Sequence, residues 1–118
     1  MTPQSAKAKG RKLQKWFRQL LIDQLNIKPE DVESRSMGAG GEDLIMSYSA
    51  RQMFPYSVEC KNQESLNVWS AFEQAEKNAG VYEPVLIIKK NRKSPLAVVD
   101  AEHFVELNNT QEKINEEG

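Results

Sequence analysis

The chain has 118 residues, of which 39% are hydrophobic and 28% are charged, and its formal net charge is −1. This size and composition favour a single domain over residues 1–118. No apolar run approaches the roughly 20 residues of a membrane span, and no apolar block of a signal peptide follows the first methionine. A single cysteine, Cys60, and a single histidine, His103, argue against a disulfide framework and a structural zinc site. We therefore expect a cytoplasmic protein without a membrane partner.

Basic residues are concentrated at two places, although the net charge is slightly negative. The first eighteen residues contain no acid, and their basic residues are Lys7, Lys9, Arg11, Lys12, Lys15 and Arg18. A second basic cluster consists of Lys89, Lys90, Arg92 and Lys93. Such clusters are typical of a surface that meets a phosphate backbone, but also of a solvated helix face and a charged hairpin tip. Charge alone leaves these two interpretations open.

The pattern of apolar residues predicts an α/β fold. Residues 1–9 lack periodicity and are interpreted as a flexible basic arm, and residues 10–25 have the apolar spacing of an amphipathic helix. Asn26 and Pro29 are expected to end that helix. A short strand over 31–37, a glycine-rich turn over 37–41 and a second strand over 42–47 follow.

The second half of the chain continues this alternation. We expect a loop over 49–55, a half-buried strand over 56–62 and a helix over 66–79 that ends at Gly80. The most apolar strand, 83–91, should be central and pair with a hairpin strand over 96–100. A short helix over 101–107 and a frayed acidic tail over 108–118 complete the chain. The order α-β-β-β-α-β-β, with the short helix last, predicts one mixed central sheet flanked by helices.

Three charged residues fall at suggestive positions in the second and third strands. Asp43 begins one strand after the glycine-rich turn, and Glu59 and Lys61 share a face of the other because they are two residues apart. If these strands form a hairpin, the two carboxylates approach each other, and a cation between them would relieve their repulsion. Oxygen ligands of this kind suit Mg²⁺, with Mn²⁺ as a substitute. The alternative is an exposed charged face with a surface salt bridge.

The arrangement of Asp43 followed by Glu59-x-Lys61 resembles the PD-(D/E)XK nuclease superfamily. The stretch from Arg35 to Asp43, RSMGAGGED, looks like the RSxGxxxxD segment of archaeal-type Holliday junction resolvases, and VECK at 58–61 looks like their IECK. Lys9-Gly10 before a helix is similar to their N-terminal lysine and glycine. The resemblance covers about residues 8–100 and implies a restriction-endonuclease-like core. Small nucleases of this kind occur in phages, so it also implies the cytoplasm of a bacterium or of a phage-infected host.

The resemblance also implies roles for individual residues. The catalytic set would be Asp43, Glu59, Lys61, Ser36 and Gln74. The metal ligands would be Asp43, Glu59, Gln14 and the backbone carbonyl of Cys60. The DNA contacts would be Lys9, Arg11, Lys12, Lys15, Arg35, Ser36 and Asn62.

The chain departs from the family pattern at two positions. Gln14 stands where the family has a glutamate, which would weaken the hold on a second metal, and Glu42 stands where the family has a proline. For Gln74, a solvent-exposed glutamine without a role in the site remains the alternative.

We therefore expect a Mg²⁺-dependent endonuclease that resolves Holliday junctions or other branched DNA by paired symmetrical nicks. Two coordinated nicks require two active sites, which implies a homodimer with twofold symmetry. Two alternatives stay open: another PD-(D/E)XK nuclease acting in repair, recombination or restriction, and a non-catalytic DNA-binding module.

Overall fold

The computed structural model describes residues 2–36 and 40–109, and these residues form an α/β globule. The first three residues of the predicted glycine-rich turn, 37–39, and most of the predicted acidic tail, residues 110–118, lie outside the described residues. The helices are α1 Pro3–Leu25, α2 Tyr48–Met53, α3 Val68–Ala79 and α4 Ala101–Glu106, with a 3-10 turn at Pro29–Asp31. Within the described ranges, every helix is too short or too polar to cross a lipid bilayer.

The strands form two sheets rather than the single mixed sheet that the sequence predicted. They are β1 Val32–Ser34, β2 Leu44–Met46, β3 Tyr56–Asn62, β4 Glu83–Lys89 and β5 Leu96–Val98. Strands β1 and β2 are antiparallel, whereas β3 is parallel to β4, and β4 is antiparallel to β5. The amide of Asp43 donates to the carbonyl of Val58 at 2.8 Å and joins the two sheets at one point.

The predicted hairpin between the second and third strands is wrong, because a helix separates them. Ser47 caps α2 by accepting a hydrogen bond from the amide of Ala50 at 3.2 Å. The predicted loop over 49–55 is therefore mostly helical. A hairpin needs a short turn between its strands, and β2 pairs with β1 instead.

The first helix begins near the start of the chain, so the predicted flexible arm is wrong for its described residues. The hydroxyl of Thr2 accepts from the amide of Ser5 at 3.1 Å, and Pro3 occupies the first helical position, where its missing amide is not needed. At the other end, Asn26 adopts a left-handed conformation with φ 58°. This end confirms the predicted stop.

Strand β3 is covered on both faces, not half-buried as the sequence predicted. Val58 and Cys60 pack into the main apolar core with α1 residues that include Leu13 and Phe17. The opposite face of β3 carries Glu59, which is only 4% exposed, beneath α3. A parallel strand between two helix layers loses the solvent-facing side of its alternation. This double cover places an acidic side chain in the interior.

Candidate active site

One cleft collects every residue that the sequence assigned to catalysis or metal binding. Its volume is about 430 Å³. The predicted residues that line it are Gln14, Ser36, Asp43, Glu59, Cys60, Lys61 and Gln74. Gly40, Gly41, Lys77 and Asn78 line it as well. The lining of the cleft comes from four parts of the chain: helix α1, the segment that leads into β2, strand β3 and helix α3. The cleft therefore exists only in the folded chain.

Asp43 is fixed by its own backbone and by the strand beside it. Its carbonyl accepts from the amide of Arg35, and its side-chain Oδ2 accepts from the amide of Cys60 at 2.6 Å. Burial raises the pKa of Asp43, while the Cys60 amide, Lys61 and Gln14 act in the opposite direction. The carboxylate is thus held against β3, facing the same cleft as Glu59.

Glu59 is the buried acid of the cleft. Its Oε1 lies 3.7 Å from the Nζ of Lys61, whereas its Oε2 has no hydrogen-bond partner among the described residues. Burial, and then the nearby charge of Asp43, raise the pKa of Glu59 to about 7. A buried carboxylate oxygen without a donor is unfavourable unless it is protonated or meets a cation. This oxygen is the strongest sign of a cation position in the cleft.

Lys61 and Cys60 have opposite environments on the same strand. The Lys61 side chain is 25% exposed and its ammonium group lies at the cleft beside Glu59. The Cys60 thiol is buried in the core, and burial followed by the charges of Asp43 and Glu59 raises its pKa. A protonated thiol is a poor nucleophile. The chemistry available to Cys60 therefore lies in its backbone groups, of which the amide orients Asp43.

Gln14 lies in the cleft, but the structure gives it a different contact from the predicted one. It is 2% exposed, and its Oε1 accepts a 2.6 Å hydrogen bond from the hydroxyl of Ser34. The side chain also forms a hydrogen bond with Asp43, which lowers the pKa of that acid. In this arrangement the amide oxygen is directed to Ser34. Gln14 acts as a bridge between β1 and Asp43, and the second lone pair of its Oε1 is not used by the Ser34 contact.

The end of the glycine-rich turn is anchored by two arginines. Arg35 donates from Nε to the carbonyl of Glu42 at 2.6 Å and lies against Gly41, which has φ 92°. Arg51 is buried, donates to the Glu42 carboxylate and to the carbonyl of Tyr56, and its guanidinium lies 4.2 Å from the Tyr82 ring centroid. The Glu42 carboxylate is thus paired with Arg51. This acid, which replaces the family's proline, does not supply a further oxygen to the cleft.

Helix α3 contributes two cleft residues that the sequence reasoning missed. Lys77 and Asn78 follow Gln74 by three and four positions, so all three share one helical face over Glu59. The Asn78 side chain beside Glu59 acts to lower the pKa of that acid, against the larger effect of burial. The spacing was visible in the sequence as a polar stripe beside Ala71 and Ala75. Ser34 was missed too, and no pattern marked it.

The predicted DNA-binding residues, apart from Ser36, lie outside the cleft. Arg11 is about 60° around α1 from Gln14, whereas Lys12 is about 160° away, on the far side of the helix. Both are exposed. The Nζ of Lys9 donates to Asn91 Oδ1 at 2.6 Å, and the Asn62 side chain donates to the Lys9 carbonyl at 3.3 Å. These two contacts tie α1 to the strand ends.

The cleft can offer a cation a small set of ligands. Among the described residues there is no cluster of three or more histidine, cysteine, aspartate or glutamate side chains suited to a metal. Two carboxylates are available, that of Asp43 and that of Glu59, whose Oε2 has no hydrogen-bond partner among the described residues. Mg²⁺ accepts such a site, since it binds through one or two carboxylates and keeps several waters or substrate phosphate oxygens.

Comparison with known proteins gave no match, whether against protein-family models, curated protein sequences or solved structures. The resemblance to PD-(D/E)XK nucleases therefore depends on the motifs and on the cleft that they form.

Proposed function

We propose that this protein is a metal-dependent DNA endonuclease of the PD-(D/E)XK type that cuts branched DNA. The observation that carries the proposal is the meeting of Asp43, Glu59 and Lys61 in one cleft, with a buried oxygen of Glu59 left without a partner. A salt bridge on an exposed face, the simpler reading of Glu-x-Lys, does not fit a glutamate that is 4% exposed.

Each of the three residues has a distinct task in this proposal. Asp43 and Glu59 would hold Mg²⁺ or Mn²⁺, which when bound lowers the pKa of a water and offsets charge on the phosphate. Lys61, beside Glu59 and partly exposed, contacts the scissile phosphate and orients the attacking water. The amide of Cys60 keeps Asp43 in position throughout.

Exposed basic residues on α1 would contact the DNA backbone outside the cleft. Arg11 projects from the side of α1 that carries Gln14, about one turn away from it. Contacts of this kind recognise phosphates and the shape of the DNA rather than base sequence. The described residues of each chain form one candidate active site, so paired symmetrical nicks would need a homodimer. Branched DNA is therefore the proposed substrate, and the cytoplasm of a bacterium or infected host the proposed location.

The test is incubation of the purified protein with four-way junction, linear duplex and single-stranded DNA in Mg²⁺, Mn²⁺ or EDTA. We expect nicking of the junction in either metal and none in EDTA. Glu59→Gln should abolish nicking while junction binding stays within about twofold, whereas Glu33→Gln, a matched change at an exposed glutamate, should cut like wild type. Cutting of linear duplex at the same rate as the junction would favour a repair or restriction-like nuclease.

One observation favours a second candidate, a non-catalytic DNA-binding module. Gln14, an uncharged residue whose oxygen accepts from Ser34, stands where the PD-(D/E)XK pattern has a glutamate, and among the described residues two carboxylates line the cleft. Under this reading DNA binds but is not cut in any metal. Binding without nicking, at metal concentrations that shift the melting temperature, would support it.

A further inference from the structure

A second cavity lies on the same face of the larger sheet as the candidate active site. Its volume is about 470 Å³. Its apolar wall is formed by Leu66, Val68, Ile88 and Leu96, and its rim carries three lysines, Lys89, Lys90 and Lys93, and one acid, Glu64. Cavities of this size and apolar character hold small organic groups.

The strand register places this cavity directly beside Lys61. Lys61 is in register with Ile88 on β4, and Ile88 is in register with Leu96 on β5, so the three residues form a row across the sheet. Neighbouring strands are about 4.8 Å apart. The cavity therefore begins one strand away from the proposed catalytic lysine, a separation that one or two nucleotides of a single strand can span.

The rim of the cavity is held in place by contacts within the β4–β5 turn. The ammonium of Lys89 donates to the carbonyls of Lys90 and Lys93 at 3.1 and 3.0 Å. Glu64 accepts from the amide of Asn91 at 2.5 Å, which ties the turn to the end of β3. In the described part of the chain, neither Lys90 nor Lys93 has an acidic partner. Their charges are available to an anion at the mouth of the cavity.

We infer that this cavity receives the base of an unpaired nucleotide next to the cut, with a neighbouring phosphate on Lys90 and Lys93. The inference rests on the proposed function and narrows its substrate. An apolar cavity with a cationic rim matches a base attached to a phosphate, and apolar base contacts tolerate any sequence. A base reaches such a cavity only after it leaves the stack of the duplex. The preferred DNA therefore has an unpaired nucleotide beside the scissile phosphate, as a bulge does, or as a branch point does once a base pair next to it has opened.

The experiment uses two duplexes of the same sequence in EDTA, one fully paired and one with a single unpaired 2-aminopurine. Wild type should bind the bulged duplex roughly tenfold more tightly than the paired one, and the 2-aminopurine fluorescence should change on binding. Leu96→Glu should lose both effects, because it places a negative charge on the cavity wall. Phe104→Glu is the matched control: Phe104 and Leu96 are 57% and 63% exposed, and Phe104 lies on α4 outside the cavity. It should bind both duplexes like wild type.

Three results would overturn the inference: equal affinity of wild type for the two duplexes, identical behaviour of Leu96→Glu and Phe104→Glu, or a Leu96→Glu defect that sedimentation traces to loss of a dimer. Repeating the measurements with Mg²⁺ or Mn²⁺ in place of EDTA distinguishes a failure of this inference from a failure of the nuclease proposal. Bulge preference without cutting in any metal would refute the nuclease alone. Metal-dependent cutting with the same ratio of bulged to paired products in wild type and Leu96→Glu would refute the cavity's role alone.

Discussion

The backbone amide of Cys60 donates a 2.6 Å hydrogen bond to Oδ2 of Asp43. This contact joins the side chain of the residue just before β2 to the middle of β3, at the point where the two sheets meet. It fixes the Asp43 carboxylate on the side of β3 that also presents Glu59 and Lys61 to the cleft. A backbone donor of this kind survives most substitutions of Cys60, so the orientation of Asp43 depends on the strand rather than on the thiol.

The metal-free protein should lose stability as the pH rises through the titration range of Glu59. Burial raises the pKa of Glu59 from its ordinary 4.5 to about 7, so between these pH values the folded protein holds a proton that the unfolded chain has released. The free energy of unfolding therefore falls between about pH 4.5 and 7, by on the order of 3 kcal/mol. The raised pKa of Asp43 acts in the same direction. Urea denaturation in EDTA at pH 5 and pH 8 measures the change.

The control for this pH dependence is Glu59→Gln, which has no proton to lose. Its stability should decline less between pH 5 and pH 8 than that of wild type, whereas the exposed-site variant Glu33→Gln should follow wild type. Parallel curves for wild type and Glu59→Gln would contradict the assignment of the titration to Glu59.

Divalent cations should stabilise the protein above pH 7. A cation that binds only the folded state raises the melting temperature with concentration, and it removes the repulsion between Asp43 and Glu59. We expect an increase of several degrees in excess Mn²⁺ or Mg²⁺ at pH 8, and little in Asp43→Asn or Glu59→Gln. Differential scanning fluorimetry over a metal series tests this. An equal increase in all three proteins would place the cation elsewhere.

Gln14→Glu should lower the stability of the metal-free protein and raise its affinity for a divalent metal. The new carboxylate can still accept from Ser34, but it cannot donate to Asp43, and it adds a third negative charge to the cleft. In EDTA we expect the free energy of unfolding to fall by roughly 1–2 kcal/mol, with a lower melting temperature. Isothermal calorimetry should show tighter Mn²⁺ binding. Gln74→Glu, an acid added at an exposed position of the same cleft, should change both quantities less. Unchanged Mn²⁺ affinity in Gln14→Glu would show that this position does not reach the cation.

Arg51→Met should destabilise the protein by roughly 3 kcal/mol, because it leaves the Glu42 carboxylate without its buried partner. The nearby exposed change Gln52→Met keeps that pair and should alter stability little. Chemical denaturation measures both variants. A loss below about 1 kcal/mol for Arg51→Met would mean that water replaces the arginine and that the pair does not hold the turn.

Arg11→Gln should weaken DNA binding more than Lys12→Gln, although each removes one positive charge from neighbouring positions. Arg11 lies about 60° around α1 from Gln14 and Lys12 about 160° away, so only Arg11 faces DNA seated in the cleft. Loss of one phosphate contact should reduce the slope of log Kd against log salt by about 1. Titration at several salt concentrations gives the slopes. Equal effects of the two variants would indicate that DNA approaches from another side.

Local patterns in the sequence predicted most of the elements and several of the residues that line the candidate site. Periodicity placed β3 at residues 56–62, as found, and the order of helices and strands indicated an α/β fold. The spacing of Asp43, Glu59 and Lys61 selected the acids and the lysine that meet in the cleft, because local pattern and residue type are properties of the chain itself.

The surroundings of these residues are set by tertiary packing. That Glu59 is buried, that Gln14 is bound to Ser34 and that Glu42 is bound to Arg51 all follow from contacts between segments far apart in the sequence. The separation into two sheets depended on α2, whose cap at Ser47 competes with a hairpin. Burial and pairing are set by the neighbours that packing supplies, and no local pattern carries that information.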